Sequence, residues 1–268
     1  MPQGLDNFIG AVGDTIKTAP TFYEDALQPT VQEIGKFVAR VPRAINAAFS
    51  GLDKWILNRE YAIDETKKLL EIKLENVDPE KIVTPEAYVA VPAIQAISYS
   101  MDSEELRNLY ANLLAKAMNS DTKDQVHPSF VEIIKQMSPI DSRIFKMIME
   151  RQANPIIDIV YNKYESDIPI PIESQTVVEN VTDIDIESVD TICICLDNLV
   201  KQGLISISEK SYTNVTLYDN ILKSQFYIIQ QQKCPYTPDG FKFSHNKKRI
   251  IKTNLGNSFY NTCVIDLL

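Results

Sequence analysis

Apolar residues in the first half of the chain recur at steps of three and four, which is the spacing of one face of an α-helix. The longest such run extends over residues 31–56, and Pro42 predicts a bend within it. Helix starts are marked by the capping box Asp102-Ser103-Glu104-Glu105, by Pro128 and by Ser138-Pro139. The first half is therefore predicted to be a set of packed helices with short connections.

β-Branched and aromatic residues become frequent after Asn154. Short runs over 156–161 and 204–208 are predicted strands, and another is expected around 250–253. Between the first two, residues 188–202 have the periodicity of an amphipathic helix that Gly203 ends. The remaining predicted elements are a helical stretch over 218–232, a basic turn after it and a short helix over 255–264.

This order of elements, a helix, a strand, helices and two strands, is that of a winged helix. The predicted fold class is therefore mainly α, with a helical N-terminal half and a winged-helix-like α+β C-terminal half. We expect two domains: a helical domain over 1–137 with amphipathic N-terminal helices, and a winged-helix-like domain over 138–268.

The charge balance is acidic, with 36 Asp and Glu against 27 Lys and Arg in 268 residues and a formal net charge of −9. Contact with nucleic acid or anionic lipid would therefore need a local basic patch. Four cysteines are too few for a disulfide scaffold, and neither a signal peptide nor a membrane-spanning apolar run is visible. We expect a cytoplasmic protein, with a peripheral location at the inner membrane as the alternative.

Few residues suit metal, nucleotide or covalent chemistry. There are eight glycines and no phosphate-binding loop, and the two histidines, His127 and His245, have no metal-ligand spacing. We expect no catalytic residue, no cofactor and no metal, and thus a protein that is not an enzyme. His127 is interpreted as an N-terminal cap or as a histidine that fixes the loop from Met118, in preference to a general base. Cys193 and Cys195 are interpreted as buried small residues.

Basic residues cluster near the C-terminus, with Phe241 and Phe243 interleaved. A winged helix would have its wing here, and a wing can follow a phosphate backbone. The helix before it would be repelled by phosphates, because it carries mainly acidic side chains. We therefore rank nucleic acid below contact with a protein and below plain stabilisation of the fold. The candidate contact residues are Lys242, Lys247, Lys248, Arg249 and Lys252.

A second basic segment lies over residues 32–59, which carry five Lys and Arg against Glu33 and Asp53. Packing of its apolar stripe into the helical half is the favoured interpretation. An interfacial membrane helix or a partner-binding helix is the alternative. The candidate residues for that role are Lys36, Phe37, Arg40, Arg43 and Trp55.

Two segments carry a family resemblance. Residues 104–115, EELRNLYANLLA, and residues 127–141, HPSFVEIIKQMSPID, resemble the abortive-infection alpha (Abi-alpha) family of bacterial proteins. The resemblance implies a bacterial protein, often associated with prophages or defence islands, that acts against phage infection. It brings no catalytic residues.

Two functions follow as hypotheses. The first is a non-enzymatic anti-phage defence protein that acts through protein or membrane contacts, its protein partner being a phage component or a second copy of the chain. The second is a transcriptional regulator that binds DNA through the winged-helix-like half. An enzyme of unrecognised type ranks third.

Overall fold

The computed structural model describes residues 60–97, 100, 102–165, 170–233 and 240–266. Five helices come first along this part of the chain. They are α1 (Glu60–Lys73), α2 (Ala87–Ile97), α3 (Glu104–Ala117), α4 (Ser129–Lys135) and α5 (Pro139–Glu150). The predicted helical character of this region is confirmed for the described residues.

Local capping contacts fix where two of these helices begin. The Ser138 hydroxyl accepts a hydrogen bond from the Asp141 backbone N–H at 3.1 Å, and the Asp141 carboxylate accepts one from the Ser138 N–H at 2.7 Å. This reciprocal box opens α5, with Pro139 in the first turn. At α3 the capping residue is Ser103, not Asp102: its hydroxyl accepts from the Leu106 N–H at 3.2 Å.

The second part of the chain contains two long strands, another helix and a short strand. These are β1 (Pro155–Tyr164), β2 (Pro171–Val181), α6 (Val189–Lys201) and β3 (Ile205–Ser208). Two short helices follow, α7 (Asp219–Leu222) and α8 (Gln225–Gln232), then β4 (Phe241–Lys252) and α9 (Asn254–Phe259), which continues into a π-helical turn over Tyr260–Val264. The predicted strands at 156–161 and 204–208 and the helix at 188–202 are confirmed.

The strands form one antiparallel sheet in the order β2-β1-β4-β3. One sheet face packs on the helices, where Ile156 joins a large core with Leu113, Phe130, Phe145 and Phe259. The opposite face is covered by the segment that contains α7 and α8, through a second cluster around Ile157, Ile159, Tyr218, Ile221 and Tyr227. The large core includes residues on both sides of 137/138, and the predicted domain division there stays a prediction.

The winged-helix prediction is wrong. Residues 171–181, for which the sequence pattern predicted no strand, form the long strand β2 and pair with β1. The predicted basic turn is part of β4, which begins at Phe241 and pairs with β1 along nine residues. A four-stranded sheet with a β1–β2 hairpin replaces the predicted arrangement, so the C-terminal half is α+β of another kind. β2 escaped prediction because most of its side chains are exposed on both faces and leave no apolar alternation.

Two glycines are required by geometry at the backbone that leads into the short strand β3. Gly203 ends α6 with φ +74°, the left-handed conformation typical of a helix C-terminus. Gly256, in α9, lies so close to the Leu204 carbonyl oxygen that an added Cβ would overlap it at 2.0 Å. The absence of a side chain at Gly256 therefore lets α9 pack directly on the backbone that leads into β3.

Candidate functional site

The predicted basic contact residues lie on β4, and the structure does not gather them into one patch. Lys248 faces the helical core, where its Nζ contacts Asp158 Oδ2 at 2.6 Å and Glu209 Oε1 at 2.8 Å. Burial disfavours the charged amine, but the two carboxylates outweigh it and raise the pKa of Lys248. Its charge is therefore neutralised inside the fold.

Lys252 has a structural contact of its own. Its Nζ donates hydrogen bonds to the backbone carbonyls of Met149 and Arg151, each at 2.7 Å. These carbonyls lie at the end of α5, where a cation also interacts favourably with the helix dipole. Lys252 thus ties the last residue of β4 to the end of α5.

The other three basic residues differ in their surroundings. The Lys247 amine lies over the Tyr218 ring, 5.2 Å from its centroid, and the Arg249 guanidinium over the Tyr212 ring at 5.6 Å. Lys242 is exposed at the far end of the strand. Alternation along β4 therefore sends the five side chains to different faces and environments.

The second set of candidates, Lys36, Phe37, Arg40, Arg43 and Trp55, lies outside the described residues. Its role as a membrane or partner helix stays a prediction. None of the helices in the described part of the chain is both long and apolar enough to cross a membrane.

His127 makes local contacts at the start of α4, in line with its structural interpretation from the sequence, although Pro128 and not His127 stands at the N-cap position. Its Nδ1 accepts a hydrogen bond from the Ser129 backbone N–H at 3.2 Å and lies 2.7 Å from the Ser129 hydroxyl. The imidazole therefore orders the first turn of α4. It also borders an open polar cleft of about 450 Å³, lined by Asp124, Gln125, Val126, His127, Ser258, Asn261 and Thr262.

The cysteine thiols are poorly suited to nucleophilic chemistry. Burial, followed by a hydrogen bond with Asp141, raises the pKa of Cys195 to about 12. Burial and several nearby carboxylates raise the pKa of Cys193 to about 11. Because the thiolate is the reactive form, both side chains are expected to stay protonated and unreactive at neutral pH.

A buried polar socket in α3 was missed by the sequence analysis. The Lys116 amine donates hydrogen bonds to the carbonyls of Asn261 and Ile265, and the Asn112 amide donates to the Cys263 carbonyl at 3.0 Å. Burial lowers the pKa of Lys116. The sequence does contain a sign of this socket: Asn112 and Lys116 are four residues apart, on one side of α3, and interrupt its apolar face. The socket anchors the π-helical turn whose residues line the cleft.

A different surface remains open to solvent on α6. Asp190, Ile194 and Asp197 follow the i, i+4, i+7 spacing of one helix face, and all three are exposed. Glu179 at the end of β2 adjoins them, since its carbonyl accepts a hydrogen bond from Cys193. We call these four residues the acidic face. Within the described residues, no group of three or more His, Cys, Asp or Glu side chains is arranged to hold a metal ion.

Comparison with family models places this architecture among known sequences. Residues 58–263 match the model of the abortive infection alpha family. The chain belongs to this family. The match covers nearly all of the described helices and the whole sheet, so the fold above is that of the family region in this chain. No curated protein and no solved structure matches the chain significantly.

Proposed function

We propose that this member of the abortive infection alpha family is a non-enzymatic anti-phage defence protein that acts by binding another protein along the edge strand β2. The observation that carries the proposal is the exposure of this strand. Ile172 is 55% exposed and Val177 43%, and β2 pairs with β1 on one side only within the described part of the chain.

An open strand edge offers unpaired backbone N–H and C=O groups to a partner strand. Proteins often protect such edges with charged residues or proline. In β2 these are Pro171, Glu173 and Glu179, and the stretch between the two glutamates, residues 174–178, is uncharged and has neither Lys nor Arg. Its exposed isoleucine and valine side chains would supply apolar contacts beside the backbone hydrogen bonds. The partner class that fits is an extended segment of another protein, from the phage or from a second copy of this chain.

The non-enzymatic character is supported by what the reactive groups contact. The His127 Nδ1 faces the Ser129 N–H, and the His245 Nδ1 lies 2.8 Å from the Tyr227 hydroxyl in the interface between β4 and α8. Each of these contacts has a structural explanation. The hypothesis of a DNA-binding transcriptional regulator depended on the predicted winged helix, and we do not retain it.

The test is a plaque assay with cells that express the chain or its variants against a panel of phages. Ile172→Lys combined with Val177→Lys places charge on the β2 edge, so we expect loss of protection. Ile72→Lys combined with Val215→Lys is the matched control, because these side chains are 67% and 59% exposed elsewhere. If both double variants protect equally at equal protein level, partner binding along the β2 edge is contradicted. If the unchanged chain gives no protection, the defence function is contradicted.

Membrane contact is the second candidate, and the basic segment 32–59 favours it. Anionic lipid attracts clustered Lys and Arg beside apolar side chains. Flotation of the full chain with anionic liposomes, compared with a chain that lacks residues 31–56, tests this contact. Equal recovery of both proteins in the soluble fraction would remove it.

A further inference from the structure

The acidic face is an unusual surface because an aliphatic side chain lies exposed between carboxylates. Ile194 is 69% exposed, although it lies in the middle of the well-capped helix α6. Asp190 and Asp197 lie one turn before and almost one turn after it on the same side. An exposed isoleucine costs hydrophobic stabilisation that a covering segment would recover.

Within the described part of the chain, the carboxylates of this face have no cationic partner. Asp197 accepts a hydrogen bond from the neutral Asn180 amide at 3.2 Å. No Lys or Arg of the described ranges forms an ion pair with Glu179, Asp190 or Asp197. The stretch from 164 to 200 contains no Lys, Arg or His at all, so no cation neighbours them along the chain. The face therefore favours a partner that is both basic and apolar.

The chain itself contains a segment of this chemistry. Residues 32–59 carry Lys36, Arg40, Arg43, Lys54 and Arg59 against Glu33 and Asp53, a surplus of three positive charges in a protein of net charge −9. Lys36, Arg40 and Arg43 have the same i, i+4, i+7 spacing as Asp190, Ile194 and Asp197. Phe37 is adjacent to Lys36 in the sequence and could cover an exposed isoleucine.

Chain length permits the contact within one molecule. Residues 44–59 separate Arg43 from the start of α1. This stretch spans up to about 50 Å if it is extended and about 24 Å if it is helical. A folded unit of some 200 residues has a radius of gyration of only about 16 Å. Both lengths exceed this radius, which leaves room for a contact within one molecule.

We propose that residues 32–59 dock on the acidic face of α6 in the same molecule, with their basic side chains against Asp190 and Asp197 and an apolar side chain over Ile194. Docking would occupy the segment that otherwise suits a membrane surface or a partner, and release would expose it. The inference stands apart from the proposed function, because β2 could bind a partner whether or not the segment is docked.

Carbodiimide cross-linking of the full chain, followed by mass spectrometry of the digest, tests the contact. The reagent joins a lysine amine to a carboxylate at contact distance without a spacer. We expect links from Lys36 or Lys54 to Asp190, Asp197 or Glu179. Their yield should fall several-fold between 0.05 M and 0.5 M salt, because screening shortens the reach of exposed charges.

Charge reversal makes the test specific. Arg40→Glu with Arg43→Glu should lower the yield of these links at least about tenfold, a loss of about 1.4 kcal/mol of docking free energy. Asp190→Lys with Asp197→Lys removes two of the linkable carboxylates, and it should lower the yield of the remaining link to Glu179 in the same way. The combination of all four changes should restore links between the two segments. Lys123→Glu with Lys233→Glu is the matched control, because both lysines are exposed elsewhere, and it should leave the yield unchanged.

Mixing the chain with an isotope-labelled copy distinguishes docking within one molecule from docking between two copies. Links between labelled and unlabelled chains would overturn the proposal in favour of a second copy. The absence of any link between 32–59 and the acidic face in the unchanged protein would also overturn it, as would failure of the fourfold variant to recover links while its thermal unfolding stays normal. None of these outcomes tests pairing of a partner strand along the β2 edge, for which the test is the plaque assay.

Discussion

The buried ion pair between Asp158 and Lys248 allows a quantitative test of how β1 is held to β4. The Asp158 side chain is 6% exposed and the Lys248 side chain 16%, with 2.6 Å between Oδ2 and Nζ. Breaking a buried pair by removing one partner typically costs about 3 to 5 kcal/mol, because a desolvated charge is left behind. In Asp158→Ala, Lys248 keeps Glu209 at 2.8 Å, so we expect a cost at or just below the lower end of this range, about 2 to 3 kcal/mol.

Lys248→Met should cost more, about 3 to 4 kcal/mol, because the Asp158 carboxylate then stays buried without its cation. Glu209→Ala should cost less than about 1 kcal/mol, since the Glu209 side chain is 78% exposed and water screens its charge. The coupling free energy between Asp158 and Lys248 is measured by urea unfolding of Asp158→Ala, of Lys248→Met and of the double variant that combines them. We expect a coupling of at least about 1.5 kcal/mol.

A coupling near zero, with single costs below about 1 kcal/mol, would refute the argument that this pair is desolvated and holds the strands together. The pH dependence gives a second check. The pKa of Lys248 is raised in the folded chain, so its stabilisation is complete below the unfolded value and disappears as pH rises through the folded value. Alkaline titration should therefore destabilise the unchanged protein more than Lys248→Met.

Three further changes test other contacts. Gly256→Ala should destabilise by more than about 2 kcal/mol in urea unfolding, because its Cβ would overlap the Leu204 carbonyl oxygen; a smaller cost would mean that α9 can shift. Ser138→Ala should cost about 1 kcal/mol through loss of the capping box, measured by thermal unfolding. Burial and Lys247 lower the pKa of His245, so stability should fall as pH drops below about 6.5, and less in His245→Gln; equal slopes would contradict this.

The helical elements could be predicted from sequence because their signals are local. Ser138 and Pro139 mark the start of α5 and Gly203 the end of α6, since a cap or a breaker acts within one turn. The core side of α6 could also be predicted, because burial of its apolar stripe follows the helical period. The basic residues of β4 were visible as well, together with their types and order.

The tertiary structure alone decided the rest. β2 forms because β1 offers it hydrogen-bond partners, a contact between segments that leaves no periodic mark on an exposed strand. Lys248 and Lys252 contact groups of the fold itself and are not available to a partner. The groups they contact, Asp158 and the end of α5, lie far away in sequence. Charge and periodicity along a chain determine which residues can interact. Which partner each one meets is determined by the fold, because the contacts that bury or neutralise a side chain come from distant segments.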